Sequence, residues 1–314
     1  CGSDKKWSLV SPDGRVAINV SYGSIGEDRP LNLYYTVSLN GNTVVLDSPL
    51  GIDRQEGGFS AGMKFVKESS RLIADKYTLK SGKRLENHDF ANEKTLTFSN
   101  ASGQQMELML RAYNDGVAFR YRFPEADSNE FMVIEEKTGF RMPLNGRAWI
   151  HPYDWNSRLK PSYEQYCQRD IAVGADSPYE QGWAYPMLFN VSDSWVFITE
   201  AVLDGTYCAT HIRSTSDGLY KVHFAEPDEV IIPDDPQPVS TLPWATPWRV
   251  IAVGENLGDI VETTIVQSLN PPCAIGDTSW IIPGRSSWSW WSDGSTVRKY
   301  EVQKEYADFT ADMG

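Results

Sequence analysis

Met106-Glu107-Leu108-Met109-Leu110-Arg111-Ala112-Tyr113-Asn114-Asp115-Gly116-Val117-Ala118-Phe119-Arg120-Tyr121-Arg122-Phe123 decides the fold class. Met106, Leu108 and Leu110 recur every second residue, and Val117, Phe119, Tyr121 and Phe123 do so after Asn114-Asp115-Gly116. A period of two marks a strand with one buried face, and an Asn/Asp-Gly run supplies the positive φ of a tight turn. Arg120 and Arg122 take the other face, as polar residues do on a half-wet strand. The reading extends outward in both directions. Val16, Ile18 and Val20 alternate after the turn Pro12-Asp13-Gly14. Leu33, Tyr35, Val37 and Leu39 alternate, and Asn40-Gly41 turns them into Thr43-Val44-Val45-Leu46. Trp195-Val196-Phe197-Ile198 and residues 220–224 and 248–253 predict further strands.

Two stretches break this pattern. Residues 140–189 hold Trp149, Tyr153, Trp155, Tyr163, Tyr166, Tyr179, Trp183 and Tyr185 with little periodicity. They read as long loops with short strands, whose aromatics either pack beneath the loops or line a ligand groove. From residue 256 the character changes. Leu257, Ile260, Val261, Ile265 and Leu269 share one helical face, and Pro271-Pro272 ends it. Pro283-Gly284-Arg285-Ser286-Ser287-Trp288-Ser289-Trp290-Trp291-Ser292-Asp293-Gly294 then reads as a strand running out into a site. Val302, Tyr306, Phe309 and Met313 follow at helical spacing.

Composition narrows the function. A net charge of −13 and a pI near 4.8 argue against nucleic acid and against anionic membrane surfaces, both of which select basic proteins. Neutral polyols and cations remain natural ligands. No apolar run reaches the ~18 residues of a membrane span. Cys167, Cys208 and Cys273 fit no zinc spacing and are expected as free buried thiols. Cys1-Gly2-Ser3-Asp4 resembles the start of a bacterial lipoprotein after signal cleavage, which makes Cys1 a candidate lipidation site. That start implies a periplasmic or outer-membrane-associated location.

Six motifs in order carry a family resemblance. They are Ser11-Pro12-Asp13-Gly14, Ser48-Pro49-Leu50-Gly51, the run from Tyr113 through Tyr121, Thr199-Glu200-Ala201, Thr246-Pro247-Trp248-Arg249, and the aromatic run ending at Trp291. Together the chain resembles glycoside hydrolase family 97, enzymes that cleave α-linked glucosides and galactosides with retention or inversion. The resemblance implies a mainly β chain. An N-terminal β super-sandwich spans residues 5–255, a linker with a helix spans 256–279, and residues 280–314 begin a (β/α)8 catalytic barrel. It implies a calcium ion, Ca2+, to which Glu200 gives one carboxylate. Calcium takes 6–8 oxygens, so its site is usually assembled from several segments. It implies an oligosaccharide or other α-glycoside as substrate, and the rest of the barrel as structural partner. No catalytic residue is assigned within the chain, because barrel carboxylates sit at the ends of later strands. The 314 residues alone are therefore expected to be inactive. Trp288, Trp290 and Trp291 are the candidate sugar-stacking residues, and Asp293 reads as a solvated loop residue.

Two readings from other classes stand beside this one. A non-catalytic carbohydrate-binding module would use the aromatic loops. A sugar mutarotase would need a His/Glu acid–base pair in the sandwich groove. His88, His151, His211 and His223 are available for that role, but none stands in a recognisable motif.

Overall fold

The computed structural model describes residues 5–23, 32–154, 165–226 and 237–314. Cys1, Trp155, Tyr163 and most of the acidic Pro-rich loop at 233–238 lie outside them. The chain divides into two compact units, residues 1–75 with 88–271 and residues 76–87 with 272–314.

The first unit is a sandwich of two antiparallel sheets. One sheet runs in space Glu86–Ser99, Gln105–Tyr113, Gly116–Glu136, Trp248–Gly254, Ser194–Ala201, Trp183–Val191, Arg147–Pro152 and Gln168–Ala172. The other runs Lys5–Val10, Val16–Gly23, Asn32–Leu39, Asn42–Leu50, Gly139–Arg141, Leu219–Phe224 and Thr210–Ser214. Inward residues of both sheets form one core, with Val16, Ile18, Val37, Leu108, Phe119, Ile198 and Ile251 all buried. The expected hairpins are present. Asn40 and Gly41 both have positive φ between their strands, and Gly116 pairs with Tyr113 across the Asn114-Asp115 turn.

Trp248–Gly254 is buried along its whole length. Ile251 and Val253 face the core between the sheets, whereas Trp248, Val250 and Ala252 face a second apolar cluster. Ile265 and Leu269 cover that second cluster. The residues that cover it form two short helices, Leu257–Glu262 and Ile265–Leu269, rather than the one helix the spacing predicts. Thr263 is extended between them, in keeping with the poor helix propensity of paired β-branched residues. Leu257 and Val261 consequently stay exposed.

Two other expectations change. Arg120 is not on a wet face: its guanidinium lies 4.5 Å from the Trp248 ring, and burial pushes its pKa down to about 10. The thiols are free but less buried than expected, with Cys167 and Cys208 half-buried and Cys273 exposed.

In the second unit the 283–291 stretch is not a strand. Trp288 is extended, Ser289–Ser292 makes one helical turn, and Tyr300–Asp312 is the predicted helix. Ser289 Oγ and Gln303 hydrogen-bond across that pair of elements. A lone strand leaves both rows of backbone groups unpaired, and no strand pairs with this stretch among the described residues. A helical turn satisfies part of its bonding within itself.

Gly182 is a position where the fold requires glycine. Its φ is +92°, and a Cβ there would overlap the Ile212 carbonyl oxygen. Left-handed strain and backbone overlap add, so Gly182→Ala is expected to cost about 2–4 kcal/mol. The urea midpoint of the purified variant checks this, and a change within error of zero would refute the packing described.

Candidate functional site

Glu200 is the second-last residue of Ser194–Ala201 and stands directly opposite Arg249 on the neighbouring strand. Register therefore sets the pair. Arg249 shares the inward side of its strand with Ile251 and Val253, so its side chain enters the inter-sheet core. It is fully buried, and a buried charge must be matched.

Two carboxylates match it. Arg249 Nε donates to Glu136 Oε1 at 2.9 Å, and Nη2 donates to Glu136 Oε2 at 2.5 Å. This is a bidentate fork with both side chains at 0% exposure. Nη1 donates to Glu200 Oε1, which also accepts from Thr210 Oγ1 at 2.6 Å. Tyr207 completes the group by donating to Glu136 Oε2 at 2.9 Å. Burial alone would lower the Arg249 pKa, but the Glu136 charge outweighs it and the net shift is upward. Burial, and then the same Glu136 charge, raise the Tyr207 pKa. The group carries two negative charges and one positive.

Glu200 is thus the outermost member of a buried Glu–Arg–Glu triad, with its side chain 9% exposed. Its bonds among the described residues all fall on Oε1. That leaves Oε2 as one hard oxygen of the type calcium selects. Glu200 belongs to no cluster of three His, Cys, Asp or Glu side chains among the described residues. It fits a calcium site as one ligand and no more. Sequence reasoning singled out Glu200 without Glu136, because nothing in a linear pattern connects residues 136, 200 and 249.

The three tryptophans do come together. Trp288 lies 5.9 Å from Trp290 and 5.3 Å from Trp291 between ring centroids, and the three are 56–79% exposed. Asp293 is exposed, and its carboxylate accepts from the Ser295 amide, as a loop residue's would. Aromatics of the 140–189 region mostly pack on other side chains: Trp183 is buried, half-buried Trp149 lies 5.2 Å from Trp195, and Tyr153 stacks on His211 at 4.5 Å. Among the described residues of this region Tyr166 is the exposed exception.

The architecture defines the class, a two-sheet antiparallel super-sandwich with an acidic group anchored at one strand end. A family model described as Glycosyl-hydrolase 97 N-terminal matches residues 9–272. The chain belongs to glycoside hydrolase family 97. A probable retaining alpha-galactosidase of Streptomyces bingchenggensis (strain BCW-1) is 28% identical over 312 residues, covering 99% of this chain and 46% of that protein. The crystal structure of a beta-arabinopyranosidase superposes with a TM-score of 0.86 at 33% identity, covering 98% of this chain and 49% of that one. A family 97 enzyme from Pseudoalteromonas sp. strain K8, solved with panose, superposes with a TM-score of 0.79 at 26% identity, covering 98% of this chain and 46% of that one. The chain spans about half the length of the relatives it matches.

Removing the shared cation should expose the triad's energetics. Arg249→Met leaves Glu136 buried without its partner, and breaking such a pair costs about 3–5 kcal/mol. Adding Glu136→Gln should recover part of that loss, because the uncompensated charge is gone. Denaturant melts of the two single variants and the double variant check this; strictly additive losses would show that the pair is not coupled.

Proposed function

We propose that this chain is the N-terminal β-sandwich part of a calcium-dependent, exo-acting α-glycosidase, with terminal α-galactosides as its substrate class. The observation that carries the reading is the family match over residues 9–272. The substrate class is supported by the relative named a probable retaining alpha-galactosidase, which aligns over 99% of this chain.

In a retaining reaction two carboxyl groups about 5–5.5 Å apart flank the scissile bond, one as general acid and one as nucleophile. On this reading both belong to the catalytic barrel and neither to these 314 residues. The sandwich supplies support. Glu200 offers one oxygen to the calcium ion, and the barrel offers the others. When bound, the ion provides fixed positive charge that orients the sugar and its neighbouring carboxylates. Arg249 and Thr210 bind Oε1, and Glu136 holds Arg249 in turn. The ligand is therefore preorganised by the core beneath it. Trp288, Trp290 and Trp291 offer apolar ring faces of the kind that stack on the C–H faces of sugars.

The test uses the full-length enzyme with aryl α-galactoside and aryl α-glucoside substrates. Hydrolysis of the galactoside is expected, lost on chelation and restored by calcium. Glu200→Gln should lower bound calcium in metal analysis and cut kcat/KM at least about tenfold, about 1.4 kcal/mol. Unchanged calcium content in that variant would remove Glu200 from the site. Turnover by residues 1–314 alone would overturn the placement of the acid and nucleophile.

A further inference from the structure

Two of the four histidines meet on another part of the sandwich. His211 and His223 are direct partners on Thr210–Ser214 and Leu219–Phe224, so both imidazoles leave the sheet on one face. Thr210, the neighbour of His211, bonds to Glu200, whereas strand alternation sends His211 to the opposite side. Glu226 follows His223 by three residues. His211 is fully buried, while the side chains of His223 and Glu226 are 40% and 23% exposed.

Atoms with lone pairs crowd together here. His211 Nε2 lies 3.1 Å from His223 Nδ1 and 2.9 Å from the Phe224 carbonyl oxygen. His223 Nδ1 lies 2.8 Å from the same oxygen and 3.9 Å from Glu226 Oε1. The other nitrogen of His211, Nδ1, is 2.7 Å from the Gln181 carbonyl oxygen. A carbonyl only accepts, and His211 meets one at each ring nitrogen, so a neutral ring can donate to one of them and turns the other nitrogen's lone pair toward an oxygen. His223 can bring at most one proton into the cluster. That single proton faces His211 Nε2, the Phe224 oxygen and the Glu226 carboxylate.

We propose that His211 Nε2, His223 Nδ1 and the Glu226 carboxylate, with the Phe224 carbonyl as fourth donor, form a site for a divalent transition metal of the zinc type. The three side-chain donor atoms lie within 4.8 Å of one another. A tetrahedral ion with bonds of about 2.0–2.2 Å sets its donors roughly 3.3–3.5 Å apart. The separations of 3.1 and 3.9 Å lie on either side of that edge and the Phe224 oxygen lies 2.8–2.9 Å from both nitrogens, so the side chains must shift to complete the site. Imidazole nitrogen selects zinc, copper or nickel over calcium, which prefers oxygen.

The surroundings are those of a held ligand set. The Gln181 carbonyl lies 2.7 Å from His211 Nδ1, Tyr153 stacks on the His211 ring, and Arg213 Nη2 donates to Glu226 Oε1. Such outer contacts orient ligating imidazoles and carboxylates. His223 and Glu226 line a surface cavity of about 430 Å3, which gives an ion a way in. Glu135 borders the same cavity and lies 3.9 Å from the Lys221 ammonium there. The site does not depend on the glycosidase reading.

Co2+ is the probe, because its visible d–d bands report tetrahedral nitrogen–oxygen coordination. Titration of the purified protein should develop these bands to one equivalent. Zn2+ should remove them stoichiometrically, and millimolar Ca2+ should leave them intact. His223→Gln and Glu226→Gln alter partly exposed groups, so circular dichroism should be unchanged while Co2+ binding weakens at least about tenfold. His88→Gln, at an exposed histidine elsewhere, should change nothing. Absence of a one-equivalent band, displacement by calcium, or undiminished binding in both cluster variants would each overturn the proposal.

Discussion

A cation sealed inside an apolar sandwich constrains this structure more than any other single feature. Arg249 sits on a strand with no exposed residue, on the side that faces the inter-sheet core. Leaving a guanidinium there unmatched would cost several kcal/mol even after relaxation. Glu136 answers it with a bidentate fork from the end of the long strand Gly116–Glu136. Glu200 answers from Ser194–Ala201, which pairs with the arginine's own strand. Three segments distant in sequence must therefore arrive together before the core can close. Such a pair adds less to net stability than its geometry suggests, since desolvation offsets most of the Coulomb gain. What it fixes is register: slipping the Ser194–Ala201 strand by one residue would turn Glu200 outward and strand the charge.

Under the proposed reading, that arrangement suits Glu200 to a supporting role. Thr210 and Arg249 both grip one oxygen, so the carboxylate has little rotational freedom left. The triad's balance of two negative charges and one positive leaves a net negative charge beside a strand end. A nearby cation is attracted to that balance. The same guanidinium also repels a metal, which favours a site where most ligands come from elsewhere. A single well-held oxygen matches that requirement better than a dense local cluster would.

Much of the sandwich was legible because its strands obey a period of two. Val16 through Val20, Leu33 through Leu39 and Val117 through Phe123 all form strands with the predicted faces buried. Asn40-Gly41 turned the chain where positive φ was expected. Arg120 misled the reading, because alternation marks a second face without saying whether water or Trp248 covers it. Glu136, Arg249 and Glu200 could not be joined from sequence, and neither could His211 and His223. In both cases the link is cross-strand register, which depends on tertiary pairing and not on local pattern. Glu200 was singled out through family resemblance alone, and the structure shows it in an ion pair with Arg249.

The Trp288–Trp291 run shows that a strand-like pattern forms a strand only where neighbouring strands can pair with it. Alternation of Trp288, Ser289 and Trp290 suits a strand, and a barrel strand has a neighbour on each edge to take its N–H and C=O groups. Among the described residues this stretch has none, and one turn of helix forms instead at Ser289–Ser292. Small polar residues make that exchange easy: Ser292 Oγ caps back to the Ser289 carbonyl at 2.9 Å, and Ser289 Oγ engages Gln303. The indoles then cluster on one another at 5.3–5.9 Å with more than half of each exposed. Three large rings left this wet forgo several kcal/mol of burial at about 25 cal/mol per Å2. Under the proposed reading, pairing with further barrel strands recovers both the backbone bonds and that burial. The conformation of this run therefore depends on whether adjoining strands are present, whereas the triad beneath Glu200 is complete within the sandwich itself.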